Sequence, residues 1–484
     1  MRHLIRRRTK IVATMGPSSD QNNMIEKMMM AGVDVFRANF SHGSHEDHAR
    51  RIQTIRDLSK KINREVAVLA DLQGPKIRIA RFKNTKIFLE ENAEFTLDAS
   101  LDSQAGDEKV VGIDYKKLPQ DVSVGDILLL DDGRIVLTVK CIEDPKIICS
   151  VNVGGELSNN KGINRQGGGL SAEALTDKDK EDLKFAATLD VDYFAVSFVR
   201  CAEDIHYAKK LVNEAGIEAG IIAKIERIEA VQSQVLDEII IASDGIMVAR
   251  GDLGVEIGDA ELPGIQKQMI RRARALNKPV ITATQMMESM IHNLIPTRAE
   301  VFDVANAVMD VTDAVMLSAE TASGDHPDEV IKAMARICLG AEKNPEVQSS
   351  KHRVECRFER IDEAIAMATM YTANHLDVEA ILCLTESGST PAMMSRIRSG
   401  IPIIALTRNL MTQRKMNLYR GVYPVAFYLK DMPEHEINKR AVAELIRLGI
   451  INPGDIVIIT EGDIIGEKGH TNLMKIYRAG IDIG

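Results

Sequence analysis

Two stretches decide the fold: Ile222-Ala-Lys-Ile-Glu-Arg227 and Met247-Val-Ala-Arg-Gly-Asp-Leu-Gly-Val-Glu256. In each, a short apolar run typical of a buried strand ends in charged or glycine residues. Lys224 and Glu226 are two residues apart, so a strand directs both side chains to one face. Asp252 follows the second run. One ammonium and two carboxylates at strand ends favour a divalent cation bound beside an anionic substrate, with a structural ion pair as the alternative.

The same pattern recurs along the chain. Apolar runs end in polar or glycine residues, and helical periodicity lies between most of them. The eight runs are 11–15, 33–37, 66–71, 192–197, 220–224, 245–249, 279–283 and 313–317. Eight strand–helix units predict a (β/α)8 TIM barrel, whose carboxyl-terminal mouth gathers the polar residues at the strand ends. These residues are Arg37, Asn39, Ser41, Asp71, Ser197, Lys224, Glu226, Asp252 and Thr284.

Two other parts of the chain have different patterns. Residues 74–169 alternate polar and apolar positions, and Asp132-Gly133 is a hairpin signal. This pattern predicts a small all-β domain inserted at the barrel mouth, where it can act as a lid that excludes water. After residue 344, strands and helices alternate again and predict a C-terminal open α/β domain. The predicted domains are therefore 1–73 with 170–343 for the barrel, 74–169 for the lid and 344–484 for the C-terminal unit.

Composition narrows the function classes. The 484 residues are 45% hydrophobic and 27% charged, as in ordinary globular proteins. A net charge of −9 without a long basic tract argues against nucleic-acid binding. No apolar run approaches the ~20 residues that span a bilayer, and we expect neither a membrane segment nor a signal peptide. Six cysteines without a Cys-x-x-Cys pair fit a reducing cytoplasm.

Eight motifs, in order along the chain, closely resemble those of the pyruvate kinase family. They are Thr9-Lys-Ile-Val-Ala-Thr-Met-Gly-Pro17, Arg37-Ala-Asn-Phe-Ser-His-Gly43, Asp71-Leu-Gln-Gly-Pro-Lys-Ile-Arg78, Asn160-Lys-Gly-Ile-Asn164, Ala223-Lys-Ile-Glu226, Arg250-Gly-Asp-Leu-Gly254, Thr282-Ala-Thr-Gln-Met286 and Met316-Leu-Ser-Ala-Glu320. The resemblance implies the same three-domain layout and a glycolytic reaction in which phosphoenolpyruvate and ADP give pyruvate and ATP. It also implies a homotetramer regulated by a phosphorylated metabolite.

The resemblance assigns the phosphoryl chemistry to a few residues. Glu226 and Asp252 are expected to hold Mg²⁺ or Mn²⁺, which screens the charge of the substrate and of the enolate. Lys224 matches the residue that contacts the transferring phosphoryl group, and it should stay charged beside a carboxylate. Arg37 and Arg78 match the arginines near the phosphoryl group, where a guanidinium suits bidentate contact. A salt bridge is the alternative role for both arginines.

Other matching residues concern the rest of the reaction. Thr284 resembles the threonine near the methylene carbon of the enolate, and a water relay that includes Ser318 is the expected proton route. The backbone amides of Gly251 and Asp252 resemble those that grip the substrate carboxylate at a helix N-terminus. Ser197 adds a polar contact or bonds to the backbone.

The nucleotide is expected to contact Asn39, His42, Arg78 and Lys161, and Lys161 would approach from the inserted domain when it closes. His42, His45 and His48 are spaced so that they drift around a helix, which does not favour a metal site. His45 and His48 are expected on a solvated first helical turn.

One position departs from the family pattern. Asn39, Ser41, Asp71 and Leu72 match the ligands of a monovalent cation that many members need. The position after Gly74-Pro75, a glutamate in potassium-dependent members, is Lys76 here. A fixed ammonium supplies the positive charge that potassium otherwise provides, so we expect potassium to be dispensable. The alternative is that Lys76 points to solvent.

The C-terminal unit carries a candidate effector loop. Its residues are Thr385, Glu386, Ser387, Gly388, Ser389 and Thr390. A glycine and hydroxyl loop that opens a helix suits a phosphate, although an ordinary capped helix start is the alternative. The family uses this loop for a sugar phosphate. Because Glu386 adds negative charge where members responsive to fructose 1,6-bisphosphate carry lysine, a monophosphorylated sugar or AMP is preferred. The segment Glu461–Gly469 is expected to close over such a ligand.

Two other function classes remain open from the sequence. The first is a metal-dependent barrel lyase acting on phosphoenolpyruvate or pyruvate, which shares the metal carboxylates but needs no ADP lid. The second is a catalytically silent sugar-phosphate sensor, which has no need of Lys224 and Glu226.

Overall fold

The computed structural model describes residues 7–348, 357–428, 434–462 and 470–482. The strands are β1 (Lys10–Thr14), β2 (Val35–Asn39), β3 (Ala67–Asp71), β4 (Lys86–Leu89), β5 (Glu94–Asp98), β6 (Val110–Gly112), β7 (Ile127–Leu130), β8 (Ile135–Glu143), β9 (Lys146–Val153), β10 (Gly155–Ser158), β11 (Ile163–Arg165), β12 (Tyr193–Val196), β13 (Gly220–Ile225), β14 (Gly245–Ala249), β15 (Val280–Ala283), β16 (Ala314–Leu317), β17 (Val378–Leu384), β18 (Ile403–Thr407), β19 (Val422–Ala426), β20 (Ile456–Gly462) and β21 (Thr471–Arg478). The α-helices are α1 (Met24–Ala31), α2 (His45–Ile62), α3 (Leu118–Asp121), α4 (Asp177–Ala187), α5 (Ala202–Glu214), α6 (Ser233–Ala242), α7 (Arg250–Ile257), α8 (Leu262–Ala275), α9 (Arg298–Met309), α10 (Ala319–Ala322), α11 (Pro327–Ala341), α12 (Ile361–His375), α13 (Ser389–Met394), α14 (Leu410–Met416) and α15 (Glu434–Arg447). Within the described ranges, no helix has both the length and the apolar character to cross a bilayer.

Eight parallel strands close into a barrel. Around the barrel their order is β1-β16-β15-β14-β13-β12-β3-β2. These strands are buried along almost their entire length, as expected when helices cover the outside and side chains fill the inside. Because all the strands run the same way, their carboxyl ends meet at one mouth. The predicted TIM barrel is confirmed, and each of the eight predicted runs overlaps one of these strands.

The inserted segment folds as a separate all-β unit, as predicted. A six-stranded sheet has the order β11-β7-β8-β9-β5-β6, and β10 pairs with β4 in a second, two-stranded sheet. Strands β7 and β8 form the expected hairpin, and Asp131, Asp132 and Gly133 in its turn all have positive φ. The unit has its own apolar core, which includes Phe95 and Leu137.

The C-terminal part is an open α/β sheet, which also confirms the predicted fold class. Its strand order is β19-β18-β17-β20-β21, with the first four strands parallel and β21 antiparallel to β20. The domain boundaries at 73/74, 169/170 and 343/344 stay predictions.

A buried ion pair fastens the C-terminal sheet beneath the barrel, on the side opposite its mouth. Arg396, just after α13, forms a bidentate pair with Asp313, and both side chains are 1% exposed. Asp313 directly precedes β16, and its Oδ2 also accepts a hydrogen bond of 3.0 Å from the backbone N–H of Val280 in β15. The pair therefore anchors the amino ends of two barrel strands to the C-terminal unit.

Replacing one partner of this pair should destabilise the protein strongly. We expect Arg396→Ala to lower the free energy of unfolding by about 3–5 kcal/mol, because it leaves the Asp313 carboxylate buried and uncompensated. Urea unfolding followed by circular dichroism measures the change. Arg447→Ala, which removes an exposed pair with Glu444, is the matched control and should leave the transition unchanged. Equal stability of the Arg396 variant and the wild type would show that the pair contributes nothing.

Candidate active site

A lysine held by three oxygen atoms forms the centre of the barrel mouth. The Nζ atom of Lys224, near the end of β13, lies 3.0 Å from Glu226 Oε1 and 3.2 Å from Asp71 Oδ1. It also donates a hydrogen bond of 2.7 Å to Ser197 Oγ. Lys224 and Glu226 reach the same side because alternate strand residues share a face. The cluster therefore joins residues at the carboxyl ends of β3, β12 and β13.

Neighbouring groups fix the two carboxylates of this cluster. Asp71 Oδ2 accepts a hydrogen bond of 2.6 Å from Arg37 Nε, and Arg37 in turn donates from Nη1 to Thr14 Oγ1 at 3.1 Å. Glu226 Oε2 accepts the backbone N–H of Phe198 at 2.7 Å. Arg37, Asp71 and Glu226 each have less than a tenth of their surface exposed. Their geometry is therefore set before any ligand arrives.

Charge and burial act against each other in this cluster. Burial lowers the pKa of Lys224, but the charges of Asp71 and Glu226 outweigh it and raise the net pKa above its ordinary value. Burial raises the pKa of Asp71, yet Arg37 and Lys224 hold the net pKa below its usual range. For Glu226, burial raises the pKa, Lys224 opposes the rise and nearby Asp252 adds to it, so the net pKa is raised. Lys224 is thus a permanent cation, and Glu226 is a carboxylate that gains from an additional positive charge.

The second candidate metal ligand, Asp252, lies in the first turn of α7. Its Oδ1 atom accepts a hydrogen bond of 3.0 Å from Lys76 Nζ. In the described part of the chain, no group of three or more His, Cys, Asp or Glu side chains is arranged to hold a metal ion. Two carboxylates nevertheless fit Mg²⁺, which typically takes one or two protein carboxylates and completes its octahedron with water and substrate oxygens. The like-charge repulsion between Glu226 and Asp252 also favours a cation there.

Thr284, at the end of β15, has a strained backbone. Its φ is 67°, a left-handed conformation that is a genuine outlier for a β-branched residue. Arg250 holds the strained turn, since its guanidinium donates to the carbonyl oxygens of Ala283, Thr284 and Gln285. Asp303 on α9 fixes the guanidinium through two contacts of 2.7 and 2.8 Å. Sequence reasoning missed this clamp, although Arg250 lies within a quoted motif.

The strained turn brings Thr284 to the first turn of α7. Its Oγ1 accepts the backbone N–H of Gly251 at 2.9 Å and donates to the carbonyl oxygen of Ala283 at 2.7 Å. The Gly251 amide, which sequence analysis expected to grip a carboxylate, therefore has a hydroxyl partner. Ser318 follows β16 at the same mouth, and its backbone N–H donates to Glu320 Oε2 at 2.6 Å. Thr284, Gly251 and Ser318 are thus close to the ends of neighbouring strands.

The expected nucleotide residues are divided between the barrel and the inserted domain. Asn39 ends β2, and its Oδ1 accepts the backbone N–H of Ser41 at 3.2 Å. Burial lowers the pKa of His42, and the nearby charges of Arg78 and Arg37 lower it further, so Arg78 belongs to the same region. Arg78 Nη1 donates to the carbonyl oxygen of Asn160 at 3.0 Å. Lys161 lies in the inserted domain, where its ammonium pairs with Asp131 at 2.7 Å.

The expected solvent exposure of His48 is wrong. Only 2% of His48 is exposed, its ring stacks on Phe40, and Nε2 lies 3.0 Å from the carbonyl oxygen of His42. His45 does begin α2, but it stacks on Phe185 and contacts Asp182 at 2.7 Å. The helix start was visible from the sequence, whereas the aromatic partners come from tertiary packing.

The expected monovalent-cation ligands are also near the cluster. The carbonyl oxygen of Leu72 accepts a hydrogen bond of 2.7 Å from Ser197 Oγ, so Ser197 bonds both to the backbone and to Lys224. Asp71 is shared with Lys224 and Arg37. Lys76 turns to Asp252 and not to solvent.

The candidate effector loop lies in the C-terminal unit, between β17 and α13. Gly388 has a φ of 78° and donates its backbone N–H to Thr385 Oγ1 at 2.9 Å. Glu386 pairs with Arg408 at 3.4 Å, so its charge is partly balanced. Ser387 and Ser389 contact each other, and Thr390 contacts Thr471. The residues 463–469 of the segment expected to cover the loop lie outside the described residues.

Comparisons with known proteins agree over almost the full length. Residues 6–331 match the family described as "Pyruvate kinase, barrel domain", and residues 363–477 match "Pyruvate kinase, alpha/beta domain". The chain is 57% identical to pyruvate kinase II of Salmonella typhimurium, with 97% of this chain and 98% of that protein covered. It is 56% identical to pyruvate kinase of Haemophilus influenzae, covering 94% and 96%. The chain belongs to the pyruvate kinase family.

A solved structure supports the same relationship. The crystal structure of a pyruvate kinase from Cryptosporidium parvum has a TM-score of 0.91 and 33% identity, and the match covers 99% of this chain and 97% of that one. The prediction of a phosphotransferase of the pyruvate kinase family is confirmed, and the lyase alternative is not favoured.

Glu256 is a buried acid of this pyruvate kinase site that sequence reasoning did not single out. It lies one helical turn after Asp252 on α7, is 4% exposed and accepts the backbone N–H of Ile228 at 2.9 Å. Burial raises its pKa to about 7, while the hydrogen bond and Arg227 oppose the rise. In the unfolded chain its pKa lies near 4.3. Between pH ~4.3 and about 7, Glu256 therefore carries a proton in the folded protein but not in the unfolded chain.

This difference makes a pH prediction. The contribution of Glu256 to stability is fully present below pH ~4.3 and is lost as the pH rises through about 7, because the folded state binds more protons in that window. The free energy of unfolding of Glu256→Gln, taken relative to that of the wild type, should therefore be about 1–3 kcal/mol higher at pH 8 than at pH 5. Urea unfolding at both pH values measures the difference.

The control for this prediction is Glu238→Gln on the exposed face of α6, which should give the same difference from wild type at both pH values. A Glu256→Gln variant whose stability relative to wild type does not change with pH would contradict the prediction.

Proposed function

We propose that the protein transfers the phosphoryl group of phosphoenolpyruvate to ADP, giving pyruvate and ATP. The observation that carries the proposal is the buried ammonium of Lys224 between Asp71 and Glu226 at the barrel mouth, in a chain of the pyruvate kinase family. Phosphoryl transfer depends on positioning and on charge stabilisation more than on covalent chemistry by the protein. A rigid cation beside carboxylates suits that requirement.

Glu226 and Asp252 are the proposed protein ligands of Mg²⁺ or Mn²⁺. When bound, the metal ion screens the charge of the substrate carboxylate, the phosphoryl oxygens and the enolate. Lys224 contributes a fixed positive charge at the transferring phosphoryl group, since its contacts leave no freedom to move away. Arg37, anchored by Asp71, and Arg78, from the base of the inserted domain, add phosphoryl contacts.

Thr284 and Ser318 are proposed to deliver the proton that converts the enolate to pyruvate, through water. The Thr284 hydroxyl donates to Ala283, so the delivery requires rotation of that hydroxyl. Substrate binding replaces the bond between Thr284 and the Gly251 amide by a contact to the substrate carboxylate, with the Asp252 amide beside it and Ser197 as a polar neighbour. The strain at Thr284 keeps its hydroxyl at this position.

ADP is proposed to bind across the gap between the barrel and the inserted domain. Asn39 and His42 approach from the barrel, and Arg78 and Lys161 approach from the other side. Lys161 must exchange Asp131 for a nucleotide phosphate when the inserted domain closes.

Loss of one proposed metal ligand should nearly abolish activity. We expect Glu226→Gln to lower kcat by roughly 10²–10³-fold or more, the loss typical when a group that stabilises transition-state charge is removed. ATP formation from phosphoenolpyruvate, ADP and Mg²⁺ measures the effect. Glu238→Gln on the surface of α6 is the control and should keep wild-type turnover. Unchanged turnover in the Glu226 variant, or no ATP formation by the wild type, would contradict the proposal.

Potassium is proposed to be dispensable because Lys76 supplies a positive charge beside the site. Initial rates in a potassium-free tetramethylammonium buffer should stay within about twofold of those in potassium chloride. Lys76→Glu, which removes the ammonium, should become potassium-dependent. A collapse of wild-type turnover without potassium would refute this proposal. Asn39, Ser41, Asp71 and Leu72 are the candidate ligands of a potassium ion.

Regulation is proposed to act through the loop Thr385–Thr390 and a homotetramer. Backbone amides and hydroxyls of the loop suit one phosphate. Because Arg408 is paired with Glu386, its positive charge is less available to a second phosphate. A monophosphorylated sugar or AMP is therefore the preferred effector. We assign the subunit contacts to exposed apolar side chains such as Leu294, Ile295 and Phe302. The free thiols of the described cysteines support a cytoplasmic location.

A further inference from the structure

Lys76 joins the inserted domain to a carboxylate of the barrel. Its Nζ lies 3.0 Å from Asp252 Oδ1, and the two side chains are 28% and 21% exposed. Lys76 follows the Gly74-Pro75 turn through which the chain leaves β3, whereas Asp252 begins α7 on the other side of the mouth. In the part of the chain that the structure describes, Asp252 is the hydrogen-bond acceptor of this ammonium. One hydrogen bond therefore spans two domains.

The inserted domain sets the position of the Lys76 side chain. The backbone N–H of Lys76 donates to the carbonyl oxygen of Gly74 at 2.9 Å, which tightens the turn. The next residue, Ile77, is buried, and its carbonyl oxygen accepts the N–H of Ile163 at 2.9 Å. The Lys76 stem passes Gly162 so closely that a Cβ there would lie 3.3 Å from Lys76 Cε. The Lys76 stem therefore packs against the base of the inserted domain, which sets where its ammonium reaches the barrel.

The two proposed metal ligands have ammonium partners of different kinds. Lys224 contacts Glu226 and is also held by Asp71 and Ser197, so its position is fixed by the barrel. Lys76 reaches Asp252 from the other domain through a single, partly exposed hydrogen bond. A dication bound by both carboxylates would repel both ammonium groups, and the ammonium with fewer contacts is the one that can give up its carboxylate.

We propose that Lys76 is a displaceable cation that holds Asp252 until a divalent metal ion binds, so that metal binding releases the base of the inserted domain. The inference rests on the proposed metal site. It assigns Lys76 a positioning role beside its proposed effect on potassium: the ammonium gives up Asp252 to the metal ion but stays at the barrel mouth, where its charge still replaces that of potassium. The metal-free protein thus has one more bond between its inserted domain and the barrel than the metal-loaded protein, whose inserted domain moves more easily over the nucleotide.

Mn²⁺ binding to the free protein, without substrates, tests the competition directly. The electron paramagnetic resonance signal of unbound Mn²⁺ gives the Kd. Lys76→Met keeps the stem length but removes the charge, and it should lower the Kd by roughly tenfold because no ammonium opposes the dication. Lys76→Arg keeps the charge and should bind as the wild type does. Lys86→Met, which removes an exposed pair with Glu156 elsewhere in the inserted domain, is the matched control and should also bind as the wild type does.

Hydrogen exchange of the backbone amides of Gly74, Lys76, Ile77 and Arg78 gives a second readout. In the wild type, exchange there should rise when Mn²⁺ is added. In Lys76→Met it should be high without metal and should not change on addition. An unchanged or higher Kd for Lys76→Met would overturn the proposal, even if exchange in the segment increases, because a purely structural role would loosen the segment without affecting the metal.

Two more variants separate this inference from the proposed function. Glu226→Gln and Asp252→Asn should both lose Mn²⁺ binding. If both keep the wild-type Kd, the metal site itself is wrongly assigned and the inference falls with it. If both lose binding while Lys76→Met does not bind more tightly, the competition alone is wrong and the proposed function stands.

Discussion

The site depends on one buried ammonium, that of Lys224. Taking an isolated charge out of water costs several kcal/mol, and the cost is offset only when good partners surround it. Lys224 has Glu226, Asp71 and Ser197 within 3.2 Å, and Asp71 is in turn fixed by Arg37. The partners come from different barrel strands, so the barrel must close in register for the charge to be tolerated. Fold and site are therefore specified by the same contacts.

The charge balance explains how such a site accepts its ligands. Three cations and three carboxylates meet at the mouth: Arg37, Lys76, Lys224, Asp71, Glu226 and Asp252. Each positive charge is already paired with a carboxylate, so a polyanionic substrate that enters alone finds no free cation. A dication that enters with the substrate meets Glu226 and Asp252, two carboxylates that repel each other. Arg37, Asp71, Lys224 and Glu226 are held by one another and need no reorganisation during the reaction. The strained Thr284, held by Arg250 and Asp303, extends the same rigidity to the neighbouring strand.

The sequence predicted the barrel because the strand and helix patterns are local properties. It also predicted that Lys224 and Glu226 lie on one face, because alternate strand residues share a face. It did not predict the contact between Arg250 and Asp303 or that between Lys76 and Asp252, which join residues 53 and 176 positions apart. Such contacts depend on the final packing of helices and domains. The burial of His48 was missed for the same reason, because its aromatic partner lies outside the helix that carries it.

The central claim is that the fixed charge of Lys224 stabilises the moving phosphoryl group. Rapid-quench measurement of a single turnover in Lys224→Met, beside direct measurement of phosphoenolpyruvate binding, tests it. The account predicts a phosphoryl-transfer rate lower by roughly 10³-fold or more, with a much smaller change in substrate Kd, because the charge acts mainly in the transition state. A transfer rate equal to that of the wild type, or a loss confined to substrate binding, would contradict it.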